Sequence, residues 1–269
     1  MSRPAPRSGL APDYARFCGG VKSLCDIDLV QYRPAQMERR LRSFARRAGH
    51  DDLDGYLAAL RRDVAARGAF LDHMTINVSE LFRNPERFAE LEARFLPELV
   101  ARPSGRGLRV WSAGCSYGAE PYTLAILLAE AAPGLAHDLV ATDIDETVLA
   151  RAREGVFSEQ DLQNVSRQRR RRWFAERPGG GWQVTPELRA MARFSRLDLL
   201  KDPYPRACDL VVCRNVVIYF TDDAKERIYE RFFEILRPGG VLFVGSTERV
   251  NDAARLGWER PTTFFYRRP

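Results

Sequence analysis

The chain is 269 residues long, enough for one large domain or for a small domain joined to a medium one. Hydrophobic content of 45% and charged content of 29% are ordinary for a globular protein, and no apolar run approaches the ~20 residues of a helical membrane span. The formal charge of +6, carried almost wholly by arginine, favours an acidic partner (nucleic acid, an anionic membrane or an acidic protein face) without choosing among them.

The opening MSRPAPRSGLAPDY has no apolar core of a secretory signal, so a cytoplasmic location is expected. Five cysteines at 18, 25, 115, 208 and 213 form no C-x-x-C pair, which fits a reducing compartment. His50, His73 and His137 are scattered without metal spacing, so no metal is expected. In a cytoplasmic protein Asn77-Val78-Ser79 is not a glycosylation site.

From Asp13 to about Asp72 the pattern is helical. Pro34 suits a first helical turn, Met37, Leu41, Phe44 and Ala48 mark an apolar stripe, and Gly49 suits the residue just past the helix end. Arg39, Arg42 and Arg46 fall on the opposite side as a row with little acid after Glu38, which reads either as a solvated face or as a docking surface. A further amphipathic helix starts at Asp52 and ends near Gly68.

TINVSELFRN (75–84) interleaves Asn, Ser and Arg with Ile, Val, Leu and Phe. Asn77 with Glu80 three residues on reads as a capping box, and the same polar groups also suit a binding site. A connector helix is expected over 85–100. Strands are expected at 108–113, 138–143, 192–195, 209–213, 241–245 and 263–266, alternating with helices at 119–131, 146–153 and 222–236. That alternation predicts a mainly parallel sheet covered on both sides. Residues 173–186 read as a small β excursion behind the basic run Arg167–Arg172.

In such a sheet ligands bind beyond the carboxyl ends of the strands. Gly114-x-x-x-Gly118 allows close backbone approach, yet it lacks the spacing of a dinucleotide loop and the Lys-Ser/Thr of a P-loop, which points to a nucleoside ligand. Asp143 ends the second strand, where a carboxylate accepts ribose hydroxyls, and Asp145 suits the N-cap of the next helix. Asp198 either starts a turn or accepts from an exocyclic amine, with Leu199 against the base. Arg214 and Asn215 close the fourth strand. Together these positions specify adenosine bearing a sulfonium, that is, S-adenosylmethionine.

Four stretches, TINVSELFR (75–83), VWSAGCSYGAEPYTLA (110–125), ATDIDETVLARAREGVF (141–157) and CRNVVIYF (213–220), together with LVQYRPAQMERRL (29–41), resemble the CheR-type chemotaxis receptor methyltransferases over nearly the whole chain. The resemblance implies an α/β Rossmann-like class I methyltransferase sheet over 103–269, a small N-terminal all-helical domain over 10–72, and a connector over 73–102. It implies methylation of glutamate side chains on the cytoplasmic helices of chemoreceptors, with S-adenosylhomocysteine as product. By the same resemblance Asn77, Ser79 and Arg83 reach over the cofactor, Glu120 holds its amino-acid end, Asp143 its ribose, and Asp198 and Leu199 its adenine. Gly114, Arg214 and Asn215 take the remaining side. Arg83 is the candidate to orient the substrate carboxylate, Tyr219 lines the transfer site or is a core tyrosine, and the row Arg39, Arg42, Arg46 meets acidic receptor surface.

The chain departs from the family pattern at Ala119, where an acidic or amide residue is frequent, and at Leu81, where Phe is frequent. The arm around 176–182 is short, so no dependence on a receptor tail peptide is expected. A monomer is expected, with no nucleic acid and no membrane insertion. Two other classes compete. One is a nucleic-acid methyltransferase, favoured by Arg169–Arg172 but lacking the Asn/Asp-Pro-Pro-Tyr motif and interleaved aromatics. The other is a cofactor-binding regulator without turnover.

Overall fold

The protein is described by a computed structural model over residues 10–74, 79–102 and 106–269. Its contacts divide it into two units, 10–74 together with 219–225, and 79–218 together with 226–269.

The first unit is helical: α1 (Pro12–Cys25), α2 (Pro34–Arg47), α3 (Leu53–Arg62) and α4 (Val64–Met74). Proline opens α1 and α2, where a missing N–H costs nothing, and the Asp52 carboxylate accepts from Gly55 N at 2.7 Å to cap α3. Phe17 stacks on Tyr56 at 5.9 Å, and Phe44 and Phe70 meet Tyr56 edge-on. A Cβ on Gly20 would come within 2.5 Å of Leu57, so α1 and α3 approach closely only because that residue is glycine.

Two expectations are corrected here. The helix begun at Asp52 does not run to Gly68 as one piece: Asp63 leaves helical geometry and accepts from Ala65 N at 2.8 Å, ending α3 and starting α4. The buried stripe of α2 is Met37, Leu41 and Ala45, with Phe44 half-buried, and Ala48 is exposed past the helix end. Gly49 does take the left-handed conformation, φ +83°.

The second unit holds α5 (Pro85–Glu90) and α6 (Leu96–Val100), joined by a π turn over Leu91–Phe95, then β1 (Arg109–Ala113), α7 (Ala119–Ala131), β2 (Asp138–Asp143) and α8 (Glu146–Glu154). It continues through β3 (Val156–Phe157), α9 (Arg167–Trp173), β4 (Phe174–Glu176), β5 (Trp182–Val184), α10 (Pro186–Met191), β6 (Ala192–Arg196) and β7 (Cys208–Cys213). After α11 (Asp222–Ile235) it ends in β8 (Leu236–Val244) and β9 (Phe265–Arg267).

The main sheet runs β6-β2-β1-β7-β8-β9, parallel except for β9. β7 is buried along its whole length, as a central parallel strand must be. Its one acidic residue, Asp209, is neutralised by Arg237 Nη1 at 2.8 Å and accepts from Arg109 N. α11 passes straight into β8, which begins at Leu236 rather than Val241: Arg237-Pro238-Gly239-Gly240 stays in the ladder as an irregularity opposite Cys208–Leu210. The final strand starts at Phe265, two residues later than the pattern predicts, and is antiparallel. The excursion is a second small sheet, β3-β5-β4, of two- and three-residue strands.

The chain leaves β1 towards β2 and β6 on one side, then returns to β7 on the other. The crevice beyond the carboxyl ends of β1, β2 and β7 is therefore the sheet's switch point, where ligands of open α/β sheets bind. Register sets its walls. Ala113 pairs with Thr142 and Ser112 with Val212, which brings Gly114, Asp143 and Arg214 to one level.

Candidate functional site

Backbone strain concentrates at this edge. Gly114 (φ +81°), Ser116 (φ 48°), Gly118 (φ 97°) and Asn215 (φ 60°) are left-handed, as are Phe82 (φ 54°) and Asn84 (φ 60°) on either side of Arg83. A phenylalanine in that conformation persists only where its surroundings hold it there. A Cβ on Gly114 would lie 2.3 Å from Val216 Cγ2, so glycine is required for β1 to turn beneath the loop after β7.

Asp143 is buried at the end of β2, and burial raises its pKa. Oδ2 accepts from Ser116 N at 2.8 Å and Oδ1 from Asp145 N at 3.1 Å. Asp145 caps α8 through Thr147 N and Val148 N, the role its position predicts.

Glu120 sits in the first turn of α7. Ser112 Oγ donates to its Oε1 at 2.8 Å, and Arg214 Nη1 stands 3.9 Å from Oε2. Burial pushes the Glu120 pKa up to about 7, and the Arg214 charge offsets only part of that. Burial also lowers the pKa of Arg214. The Arg214 guanidinium lies between the rings of Phe88 and Phe243, 4.9 and 4.8 Å from their centroids, and Nη2 donates to Arg83 O at 3.0 Å and Asn84 Oδ1 at 2.8 Å. Its buried Nε finds no acceptor among the described residues.

The 79–84 segment is fastened to the sheet unit along its length. The Tyr117 hydroxyl lies within hydrogen-bond reach of both Ser79 O and Asp161 Oδ1, its single proton going to one of them or shared between the two, Leu81 N donates to Asp161 O at 3.1 Å, and Phe82 N donates to Thr123 Oγ1 at 2.9 Å. Gln163 donates to the Glu80 carboxylate. Arg83 is half-buried, and its charge is felt at both Glu120 and Arg214. Asn77 lies outside the described residues. The capping-box reading of Asn77 with Glu80 therefore falls outside the described residues as well, and the helix that follows begins at Pro85 with Asn84 before it.

Asp198 starts a turn. Its buried Oδ1 accepts from Leu200 N at 2.8 Å, and Lys201 Nζ is 3.8 Å from Oδ2. The carbonyl of buried Leu199 is held by Tyr204 Oη and Arg231 Nη1. Arg169 and Arg170, the centre of the basic run, are paired within the unit: Arg169 with Glu92 and Glu130, Arg170 with Glu159. Two of the five arginines of the run are thus paired inside the unit, and Arg167, Arg171 and Arg172 stay exposed.

In the helical unit, a cavity of about 210 Å³ is lined by Arg33, Gln36, Met37, Arg39, Arg40 and Tyr219. Tyr219 reaches it because 219–221 runs beside 31–33: Arg33 N donates to Tyr219 O, Thr221 N donates to Gln31 O, and the rings of Tyr32 and Phe220 are 4.9 Å apart. The arginine row is not uniform. Arg39 and Arg46 are exposed, but Arg42 is bonded to Asp13 through both terminal nitrogens and to Glu38, so its membership of a docking row is corrected. The neutralising acid is on α1, remote in sequence.

The residues of the crevice suit S-adenosylmethionine. Its amino-acid end is a zwitterion, and the site offers the opposite pair: the half-buried Glu120 carboxylate, 3.9 Å from the Arg214 guanidinium, and the buried Arg214 Nε, which finds no acceptor among the described residues. Asp143 offers two oxygens to a diol. Sequence patterning did not single out Ser112, Tyr117, Thr123, Asp161 or Glu248, whose carboxylate holds the loop after β7. Glu248 follows a strand in G-S-T-E, a weak signal for any role.

Two family descriptions match the chain: "CheR methyltransferase, all-alpha domain" over residues 12–75 and "CheR methyltransferase, SAM binding domain" over residues 77–262. The chain is 39% identical over 257 residues to a chemotaxis protein methyltransferase of Listeria innocua, covering 96% of this chain and 97% of that one. It is 35% identical to a chemotaxis protein methyltransferase of Salmonella typhimurium, covering 90% and 85%, and 36% identical to a probable chemotaxis protein methyltransferase of Rhizobium etli, covering 85% and 89%. No helix among the described residues is long and apolar enough to cross a membrane. A crevice at the switch point of a mostly parallel sheet, two successive domain matches and relatives that align nearly end to end lead to one conclusion: the chain belongs to the CheR methyltransferase family and is an S-adenosylmethionine-dependent methyltransferase.

Proposed function

We propose that this enzyme methylates glutamate side-chain carboxylates on the cytoplasmic helices of chemoreceptors, in the cytoplasm, for chemotactic adaptation. The observation that carries the reading is the fastening of 79–84: it delivers the Arg83 charge to the Glu120–Arg214 cluster at the sheet edge, where an acidic substrate group can be held.

S-adenosylmethionine supplies a methyl group on a sulfonium, an electrophile open to displacement by a carboxylate oxygen. A glutamate with pKa ≈ 4.3 is already an anion at pH 7, so the protein need not supply a base. What the chain contributes is placement, which can be worth ~7–11 kcal/mol. Glu120 and Arg214 fix the amino-acid end, Asp143 the ribose, and Asp198 and Leu199 the adenine. Gly114 and Asn215 shape the floor, and Ser79 reaches over the cofactor. Arg83 orients the incoming carboxylate. Arg39 and Arg46 dock the acidic receptor helix, and Arg39 also lines the cavity of the helical unit, which supports a binding role for that face. The three-residue strands of the excursion offer little edge for a clipped peptide, which supports independence from a receptor tail. The enzyme is proposed to act as a monomer.

The test is radiolabelled methyl transfer to chemoreceptor-containing membranes and, separately, to RNA. Label on receptor that is released as methanol by alkali supports glutamate esters. Label on RNA, or alkali-stable label, overturns the reading.

A further inference from the structure

Glu248 is buried just past β8, and all four hydrogen bonds to its carboxylate come from main-chain N–H groups. Oε2 accepts from Gly245 N at 2.8 Å and from Asn215 N at 2.7 Å. Oε1 accepts from Val216 N at 2.9 Å and from Val217 N at 3.0 Å. Three successive N–H groups thus curl around one carboxylate, the concave anion-binding arrangement that phosphate loops use, here filled by the protein's own side chain. The first of the three residues, Asn215, is held left-handed at φ 60°. A Cβ on Gly245 would lie 2.4 Å from Glu248 Oε2 and 2.9 Å from Asn215 N, so only glycine there lets the carboxylate reach the turn.

We propose that Glu248 is a positioning residue: its carboxylate locks the 214–217 turn so that Arg214 and Asn215 present a preformed surface to the cofactor. The proposal rests on the reading of Arg214 and Asn215 as cofactor residues. Without the clamp, Asn215 has no reason to stay left-handed. Arg214 would then lose the anchor from which it reaches Glu120 and the carbonyl of Arg83.

The chemistry of the clamp dictates the variants. Glutamine has the same shape but must turn an NH₂ group towards two N–H donors, so E248Q loses two of the four bonds and sets donor against donor. G245A displaces the carboxylate without touching its charge. We expect both variants to melt cooperatively, to bind S-adenosylhomocysteine about tenfold to a hundredfold more weakly in calorimetry, and to raise KM for S-adenosylmethionine more than they lower kcat. Amide exchange should quicken at 215–217 and 245 while the β1 and β2 amides stay protected.

R214A and N215A separate the two ways of failing. If they weaken binding while E248Q and G245A bind as wild type, the clamp is refuted. If R214A and N215A themselves bind as wild type, the cofactor reading is refuted and the clamp's role with it. Should neither clamp variant fold, the wild type decides: S-adenosylhomocysteine must slow exchange of 215–217 and 245 together, and unchanged exchange at those amides overturns the proposal.

Discussion

Lowering the pH from about 7.5 to about 6 should weaken binding of S-adenosylhomocysteine by about eightfold, because Glu120 titrates in that window. The Glu120 side chain keeps only 13% of its surface exposed, and burial lifts its pKa to about 7 against an ordinary 4.5. Ser112 and a guanidinium 3.9 Å away offset only part of that. An ammonium placed beside Glu120 needs the ionised form, which falls from about three-quarters of the population at pH 7.5 to about one-tenth at pH 6. Stability without ligand has the opposite sign. Between pH 4.5 and about 7 the native state keeps a proton that the unfolded chain has released. Stability present below 4.5 is therefore lost as pH rises through about 7, by at most about 3 kcal/mol. Calorimetry across this range, paired with chemical denaturation of the ligand-free enzyme, reads both slopes. E120Q should bind weakly with little pH dependence and should remove the alkaline loss of stability. Equal affinity at pH 6 and 7.5 in the wild type, or the same slope in E120Q, would refute the assignment of Glu120 to the cofactor's amino-acid end.

Arg83→Ala should abolish methyl transfer, by at least about a hundredfold, with an unchanged melting temperature; the carbonyl that Arg214 uses survives the change, so wild-type turnover would end the orienting role. Reversing Arg39 and Arg46 to Glu should lower receptor methylation, most at low salt, and leave S-adenosylhomocysteine affinity alone; unaffected receptor turnover would make them a solvated face. Arg42→Ala should instead cost roughly 1 kcal/mol in denaturant unfolding of the helical unit, since it breaks the contacts to Asp13 and Glu38; loss of receptor turnover at full stability would return Arg42 to the docking row. Asp143→Asn should weaken cofactor binding at least about tenfold, because its amide nitrogen must face the N–H of Ser116 or Asp145.

What could be read from the chain alone follows the range of the forces involved. Strand periodicity and end chemistry are local, so β1, β2, β6 and β7 and the candidates at their tips were visible: Gly114, Asp143, Asp198 and Arg214 all lie at carboxyl ends of the main sheet. Asp145 was legible because an N-cap is defined within three residues. Arg42 was not, because its neutralising partner Asp13 lies 29 positions away on another helix, and a helical wheel drawn for α2 shows only the charge. Asp63 was hidden for a related reason: a capping aspartate in the middle of a continuous amphipathic pattern does not interrupt the apolar period, yet it splits α3 from α4. β3 and β4, two and three residues long, are too short for a period to register and form only because β5 lies between them. Glu248 is the extreme case. Its four partners are backbone groups, which carry no side-chain identity, so no pattern of residue types can announce it. What marks it is a glycine three residues earlier with no room for a methyl group and an asparagine thirty-three residues earlier in a left-handed conformation. Candidate groups at strand ends are legible from residue types, whereas a group such as Glu248 that holds them in place acts through the main chain and becomes visible only once the chain is folded.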